Sequence, residues 1–220
     1  MAEFERVRAF LNTIEAIDFT HIEIRAPQED KQSIINRKGY YSIQVQAVCI
    51  QKMLFTSVLA GNARSVHDAC VFRLSSISRY IENPMIYFPN DSHIVGDDAY
   101  GVHPHIMVLF KDNGHLSARQ KNFNFCLSSA RTAIERTFGM WKGRWRSIFD
   151  CLPMITLKKI SEYLVATYVL HNIYISRRDI INFDQTYQQD IPHGILISGR
   201  VENGNAKRQR IMNSLIIRNN

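Results

Sequence analysis

Alternating apolar and polar side chains mark the first part of the chain as a series of β-strands. Residues 14–25 alternate with β-prone side chains, residues 40–50 alternate again, and residues 54–59 follow after a short turn. Antiparallel neighbours can be joined by such short connections. The pattern therefore predicts a three-stranded antiparallel meander.

A helical period replaces this alternation after the meander. Residues 65–75 place their apolar side chains on one face and predict a first crossover helix. Two prolines predict a loop over residues 83–90. The short apolar stretches 93–95 and 106–110 predict a fourth and a fifth strand.

The second half of the chain is predicted to be mainly helical. Residues 117–145 indicate one long helix, or two that join near Phe123, and residues 161–175 indicate a last apolar helix. Beyond residue 179 the pattern weakens, and residues 207–218 predict a short amphipathic helix. The element order βββ-α-β-β-α-α is typical of an RNase H-like fold. We expect an α/β domain with a mixed central sheet, in which the antiparallel meander is joined by parallel strands and flanked by helices.

The length and composition are those of one globular domain. The chain has 220 residues, of which 45% are hydrophobic and 21% charged. We expect an N-terminal remnant over residues 1–13, one domain over residues 14–175 and a basic C-terminal tail over residues 176–220. The longest apolar runs are too short to cross a bilayer, and the first ten residues do not resemble a signal peptide, so we expect an intracellular protein without a membrane partner.

The net charge and the cysteine spacing indicate what kind of partner and what cysteine chemistry to expect. The formal net charge of +7 favours an anionic partner. The four cysteines lie more than 20 residues apart, which excludes a CxxC pair for zinc or thiol exchange. We expect reduced, structural thiols.

The long predicted helix carries two stripes at helical spacing. One stripe is apolar and suits packing on a sheet: Ile134, Phe138, Trp141 and Trp145. The other has one acid among basic residues: Arg131, Glu135, Lys142 and Arg146. Its basic members are candidate DNA contacts, since such a row suits a phosphate backbone while the carboxylate reaches a metal ion. The alternative is that Glu135 simply pairs with Arg131 one turn earlier.

Two aspartates at strands are further candidates for chemistry. Asp18 lies inside a predicted strand, where an acid is costly unless it is solvated, paired or metal-bound. Asp97 follows a strand and a glycine, but it also suits an Asx-turn or a helix cap, and spacing alone does not choose between Asp97 and Asp98. Carboxylates that converge with Glu135 imply bound cations, and oxygen ligands favour Mg²⁺ or Mn²⁺. Two such ions would support phosphodiester hydrolysis.

Several sequence blocks together resemble the DDE domain of the PIF/Harbinger transposases and of the domesticated nucleases derived from them. They occur in the family's order over most of residues 14–175: AIDFTHI, NRKGYYSIQVQAVC, SVHDACVF, VGDDAY, FN, SSARTAIERTFGMWKGRWR and LHN. By this resemblance the three acids of the family fall on Asp18, Asp97 and Glu135, which selects Asp97 over Asp98. Asp68 falls in another block and is expected to be structural or to support the site indirectly.

The last block contains His171 and Asn172, which we expect to tie the final helix to the sheet by hydrogen bonds. The chain departs from the family pattern at Glu15 and Arg64, where the family has glycine. It also has His105 in place of an aromatic residue and Leu109 in place of proline. Full-length relatives carry a helical N-terminal segment before the first catalytic strand, so we expect a shortened chain.

The resemblance implies a metal-dependent endonuclease that cleaves DNA in the nucleus, with the cytoplasm as a second location. It also implies a Myb-like protein as a partner for DNA targeting. The alternative is a catalytically silent protein that keeps the fold and binds DNA or a partner. Salt-dependent DNA binding that is insensitive to metal would indicate this alternative.

Overall fold

Five strands form the centre of the domain. The computed structural model describes these residues: 10, 12–26, 35, 39–62, 75–148, 150–153, 156–178 and 201–217. Within them the strands are β1 (Thr13–Glu23), β2 (Ser42–Cys49), β3 (Phe55–Asn62), β4 (His93–Val95) and β5 (Ile106–Met107). The helices are α1 (Ser76–Glu82), α2 (Pro84–Tyr87), α3 (Ala118–Arg144), α4 (Leu157–Ser176) and α5 (Val201–Ser214).

The strands form one mixed sheet in the order β3-β2-β1-β4-β5. The pairs β1–β2 and β2–β3 are antiparallel, which confirms the predicted meander. The pairs β1–β4 and β4–β5 are parallel. The longest strand, β1, therefore lies at the centre, between the antiparallel and parallel halves of the sheet.

Helices cover both faces of this sheet. On one face the sheet packs against α3, α4 and α5 in the larger core, whose helical members include Ile134, Leu164 and Ile211. On the other face Ile17 and Ile94 pack in a second core with Ile77 of α1. The predicted arrangement of a mixed sheet flanked by helices is confirmed.

Helix α3 is continuous and begins at a capping box. The Ser117 side chain accepts a hydrogen bond from the Gln120 backbone N–H, and the Gln120 side chain accepts one from the Ser117 N–H. The predicted apolar stripe faces the core, with Ile134 and Trp141 fully buried. The sequence alternative of two helices that join near Phe123 is therefore wrong.

Hydrogen bonds from His171 and Asn172 join helix α4 to the start of β3, as predicted from the sequence. The Asn172 side chain accepts a hydrogen bond from the Phe55 N–H at 2.8 Å and donates one to the Phe55 carbonyl at 2.7 Å. His171 Nε2 lies 2.9 Å from the Met53 carbonyl oxygen. Since these side chains take the place of strand partners, they hold the helix against the sheet.

Two predicted elements differ from the structure. The fifth strand was expected over residues 106–110 but covers only Ile106–Met107, because the Asn124 side chain takes both backbone hydrogen bonds of Phe110. Pro84–Tyr87 was expected as part of a loop but forms a short helix, since proline at the first helical position has no N–H to leave unpaired.

The C-terminal helix also differs from the expected basic tail. Its apolar side chains enter the larger core, with Ile211 and Met212 buried. The Lys207 ammonium is buried and donates hydrogen bonds to the backbone carbonyl of Asp91 at 2.8 Å. The Arg208 guanidinium lies 4.0 Å from the ring centre of Phe110. Residues 204–217 therefore pack on the domain rather than extend from it.

The predicted crossover helix over residues 65–75, which contains Asp68, lies outside the described residues apart from Ser75. Among the described cysteines, Cys49, Cys126 and Cys151 form no disulfide. None of the helices in the described part of the chain is long and apolar enough to cross a membrane.

Candidate functional site

The parallel pairing of β1 and β4 aligns two aspartates. Ala16 pairs with Val95. Asp18 and Asp97 each lie two residues further along the same direction, so they occupy equivalent positions on neighbouring chain segments. Because side chains alternate with a period of two, Asp18 falls on the face of β1 that carries Ala16, and Asp97, in extended backbone just beyond the end of β4, falls on the side that carries Val95. Ala16 and Val95 belong to the larger core, which lies under α3.

Gly96 allows the end of β4 to lie close to its neighbours. A Cβ atom at this position would lie 3.0 Å from Ile17 Cγ2 and 3.0 Å from Tyr100 Cδ2. The Tyr100 ring in turn stacks on Phe19 at a centroid distance of 5.1 Å. A larger residue would push the Asp97 backbone away from β1, which gives the Gly-Asp pair of the sequence a packing reason.

Asp18 is a buried carboxylate in the middle of the sheet. It is 4% exposed and accepts a hydrogen bond from the Phe19 N–H at 2.8 Å. Its second oxygen accepts a hydrogen bond from Arg131 Nη2 at 3.0 Å. Burial raises the pKa of Asp18, and the charge of Arg131 counteracts this rise.

Arg131 supplies a positive charge close to the three predicted acids. Its side chain is 15% exposed, and its Nη2 atom lies 3.0 Å from Asp18 Oδ2 and 3.6 Å from Glu135 Oε1. Burial lowers the pKa of the guanidinium, but the negative charges of Asp18, Asp97 and Glu135 outweigh burial and raise its pKa overall. One guanidinium therefore interacts electrostatically with all three predicted acids.

Asp97 caps a short turn at the end of β4. Its Oδ1 atom accepts a hydrogen bond from the Asp98 N–H at 2.6 Å, and a 3₁₀ turn follows over Asp98–Tyr100. Asp97 is 7% exposed. Burial raises its pKa to about 7, aided by Asp98 and Asp18 and opposed by Arg131. The capping role considered from the sequence is thus present, in a carboxyl group that also lies within the influence of Asp18.

Glu135 is the most accessible of the three acids. Its side chain is 40% exposed and pairs with Arg131 one turn earlier on α3. This is the ion pair that the sequence offered as an alternative. Burial raises the pKa of Glu135, Arg131 opposes the rise and Asp18 adds to it. Glu135 therefore faces the same charges as Asp18 and is also reached from solvent.

The basic stripe of α3 lies partly against β1. Lys142 Nζ donates a hydrogen bond to Thr20 Oγ1 at 2.6 Å, and burial lowers the pKa of this lysine to about 8. Arg131 is held by Asp18 in the same way. Arg146 lies beyond the end of α3 and is exposed. Two of the three candidate DNA contacts thus have partners within the protein.

We call Asp18, Asp97 and Glu135 the acidic cluster. In the structure these three acids interact with the Arg131 guanidinium. Within the described residues, no group of three or more His, Cys, Asp or Glu side chains is close enough to hold a metal ion. The donor atoms nevertheless suit Mg²⁺ or Mn²⁺, since all three acids offer carboxylate oxygens.

Sequence reasoning missed the internal role of the basic side chains. The spacing of α3 identified Arg131 and Lys142 as candidate DNA contacts, with a pair between Arg131 and Glu135 as the alternative. Nothing in the spacing showed that β1 would lie under this stripe. The one available signal was the cost of Asp18, because a buried acid in a strand requires a cationic partner.

Comparison with known proteins identifies the family of this chain. The model of the DDE superfamily endonuclease family matches residues 17–172. The chain belongs to this family, and the predicted PIF/Harbinger relationship is confirmed.

Individual relatives carry names from the same group. The chain is 27% identical over 175 residues to "Putative nuclease HARBI1" of Rattus norvegicus, which covers 78% of this chain and 48% of the relative. It is 26% identical over 200 residues to "Protein ALP1-like" of Arabidopsis thaliana, which covers 86% of this chain and 49% of the relative. The chain thus spans about half the length of the curated relatives it matches. A search of the solved structures found no significant match.

Proposed function

We propose that this chain is the RNase H-like catalytic domain of a transposase-derived, metal-dependent endonuclease that cleaves DNA phosphodiester bonds. The single observation that carries the proposal is the alignment of Asp18 with Asp97 on parallel neighbours, under a helix that adds Glu135. The strand order β3-β2-β1-β4-β5 supports the RNase H-like assignment, since it joins an antiparallel meander to parallel strands through one central strand.

The acidic cluster would hold the divalent metal ions. When bound, Mg²⁺ or Mn²⁺ would supply a nucleophilic water and stabilise the leaving oxygen of the phosphodiester. Asp18 and Asp97 offer oxygens from the sheet, and Glu135 offers one from α3. Of these, Glu135 has the most accessible side chain, so it also has the most freedom to adjust its rotamer.

Arg131 and Lys142 hold the strand and helix in register before metal and DNA arrive. Arg131 balances the buried charge of Asp18, and Lys142 joins α3 to Thr20 two residues further along β1. Since two unpaired carboxylates would repel each other at this depth, Arg131 stabilises the domain in the metal-free state. Metal binding would take over this charge and release Arg131 for a phosphate group, with Lys142 and Arg146 as further contacts.

The cellular setting belongs to the same proposal. We propose a nuclear location because the proposed substrate is DNA, with the cytoplasm as a second location. The net charge of +7 supports an anionic substrate. A Myb-like protein would supply DNA targeting, as the resemblance implies.

Cleavage of plasmid DNA tests the proposal. The purified chain is incubated with supercoiled plasmid and Mg²⁺ or Mn²⁺, and nicked or linear product is expected. Asp18→Asn should reduce cleavage to background, because this substitution removes a ligand charge at nearly constant volume. Asp150→Asn is the matched control, since Asp150 is exposed and lies outside the acidic cluster. Intact plasmid with every metal tested, or equal cleavage by Asp18→Asn, would reject the proposal.

A second function is a silent DNA- or partner-binding protein. It is favoured by the Arg131–Asp18 pair, which neutralises the most buried acid without any ion. In that case DNA binding weakens with salt but does not respond to metal or to Glu135→Gln. Electrophoretic mobility shifts with and without Mg²⁺ distinguish this function from the nuclease.

A further inference from the structure

The outward side of α4 is unusually apolar. Five of the twelve large apolar side chains that are exposed in the described part of the chain lie on this one helix: Val165, Val169, Leu170, Ile173 and Tyr174. At about 100° per residue they share one side of the helix, opposite the buried stripe that contains Leu164, Tyr168 and His171. We call these five residues, together with the exposed Ala166, the outer face of α4.

Charged residues mark the two ends of the outer face. Glu162 lies before it and Arg177 lies after it, both exposed and on the same side of the helix. They are 15 residues apart, a distance of about 22 Å along a helix. Between them the outward positions of α4 itself carry no charged side chain, and the Arg144 guanidinium of α3 lies 4.3 Å from the ring centre of Tyr174 near the basic end. The face thus has an acidic end, an apolar middle and a basic end.

We propose that the outer face of α4 is the contact surface for a second copy of this chain, with the two α4 helices antiparallel. The positions are symmetric about a point between Val169 and Leu170. Antiparallel pairing brings Val169 of one copy to Leu170 of the other, and Ala166 to Ile173. The same register brings each Glu162 to the other copy's Arg177. An isologous two-fold contact requires this kind of self-complementary surface.

Charge decides the orientation of the two helices. A parallel pair in register would place Glu162 beside Glu162 and Arg177 beside Arg177, and like charges disfavour that arrangement. The antiparallel pair replaces both contacts by opposite charges. It also places the other copy's helix over a cavity of about 340 Å³ lined by Val169, Asn172, Ile173, Ser176 and Arg177. The small side chain of Ala166 leaves room for close approach of the helices.

The size of the face predicts a weak dimer. Stable interfaces bury roughly 1,600 Å² in total, and a contact through four turns of one helix supplies only part of that area. We therefore expect association in the micromolar range. The charge pairs at the ends stay solvent-exposed, so they add less to the affinity than the apolar centre does, whereas like charges at the same places would oppose association.

The test is the mass of the full chain by light scattering and sedimentation from low to high micromolar concentration. A concentration-dependent dimer is expected. Val169→Lys should raise the dimer dissociation constant by about tenfold or more, because it places a charge in the apolar centre. Since Val169 is 56% exposed, the variant should melt as the parent does when monomeric. Lys121→Glu on α3 is an exposed charge control and should leave the dimer unchanged.

Charge reversal tests the antiparallel register. Glu162→Arg and Arg177→Glu should each weaken the dimer, and the double variant should restore it. A parent chain that is monomeric at every concentration overturns the proposal and leaves the face to another part of a longer protein. A dimer that is insensitive to Val169→Lys overturns it as well. Two single reversals without effect overturn the antiparallel pairing.

Discussion

The Arg131 guanidinium donates a hydrogen bond to the Asp18 carboxylate at 3.0 Å, which joins the centre of α3 to the centre of β1. In this state the positive charge at the acidic cluster comes from the protein's own helix. The same side chain also lies 3.6 Å from Glu135. On the proposed function, a metal ion would therefore compete with Arg131 for two of the three proposed ligands.

Removal of Arg131 is expected to strengthen metal binding. Arg131→Gln frees Asp18 Oδ2 from the guanidinium, so the affinity for Mn²⁺ measured by calorimetry should rise by about tenfold, equivalent to about 1.4 kcal/mol. Without metal the variant should be less stable by about 3 kcal/mol, because a buried carboxylate loses its partner. Lys121→Gln, at an exposed position in the first turn of α3, is the control. Weaker Mn²⁺ binding by Arg131→Gln would show that Arg131 positions the ligands instead of competing for them.

Docking of the C-terminal helix depends on Gly204. A Cβ atom on Gly204 would lie 2.9 Å from backbone atoms of His103, which have little freedom to move. Gly204→Ala should therefore lower the free energy of unfolding by about 1–3 kcal/mol in urea. Gly139 in α3 has no atom within 4 Å of the same position, so Gly139→Ala should raise stability by about 0.5–1 kcal/mol. Equal effects of the two substitutions would contradict the close packing of α5.

The amide of Asn172 is expected to be irreplaceable by a carboxylate. Asn172→Asp keeps the acceptor for the Phe55 N–H but places an oxygen against the Phe55 carbonyl, where the amide now donates at 2.7 Å. The free energy of unfolding should fall by about 1–3 kcal/mol near neutral pH. Asn213→Asp, at an exposed position of α5, should change it by less than about 0.5 kcal/mol. Comparable losses from both variants would argue against the two hydrogen bonds between the Asn172 side chain and the Phe55 backbone.

Buried histidines are expected to make the fold sensitive to acid. Burial lowers the pKa of His93 to about 3 and that of His171 to about 4, whereas an unfolded histidine titrates near about 6.5. The unfolded state binds more protons between these values, so stability is fully present above about pH 6.5 and is lost as pH falls towards 4. Each histidine contributes a slope of at most about 1.4 kcal/mol per pH unit.

The control for this pH dependence is a variant at one histidine. His93→Gln should flatten the slope of unfolding free energy below about pH 6.5, and the difference from the parent is the quantity to measure. The raised pKa of Asp97, about 7, acts in the opposite direction, since its stabilising proton is lost as pH rises through that value. An unchanged slope in His93→Gln would mean that His93 is protonated in the folded protein.

Periodicity was sufficient for the elements whose pattern is local. The alternation over β1, β2 and β3 predicted the meander, and the apolar stripe with Ile134 and Trp141 predicted α3, because side-chain direction follows directly from backbone period. The length of the short strand β5 could not be predicted in this way. Its length was decided by Asn124, a residue on another element, which takes the backbone hydrogen bonds of Phe110.

For the acidic cluster, the sequence by itself determined which residues are candidates. A strand-borne Asp18, a Gly-Asp pair at the end of a strand, and an acid in a basic helix are all visible without coordinates, and the family blocks selected Asp97 over Asp98. Only the tertiary structure decided that Arg131 donates a hydrogen bond to Asp18, which lies 113 positions away in the sequence, and that Lys142 donates one to Thr20. The physical reason is that a helical stripe has no direction until it packs. Whether its charges meet DNA, solvent or the central strand depends on which face of α3 the sheet buries.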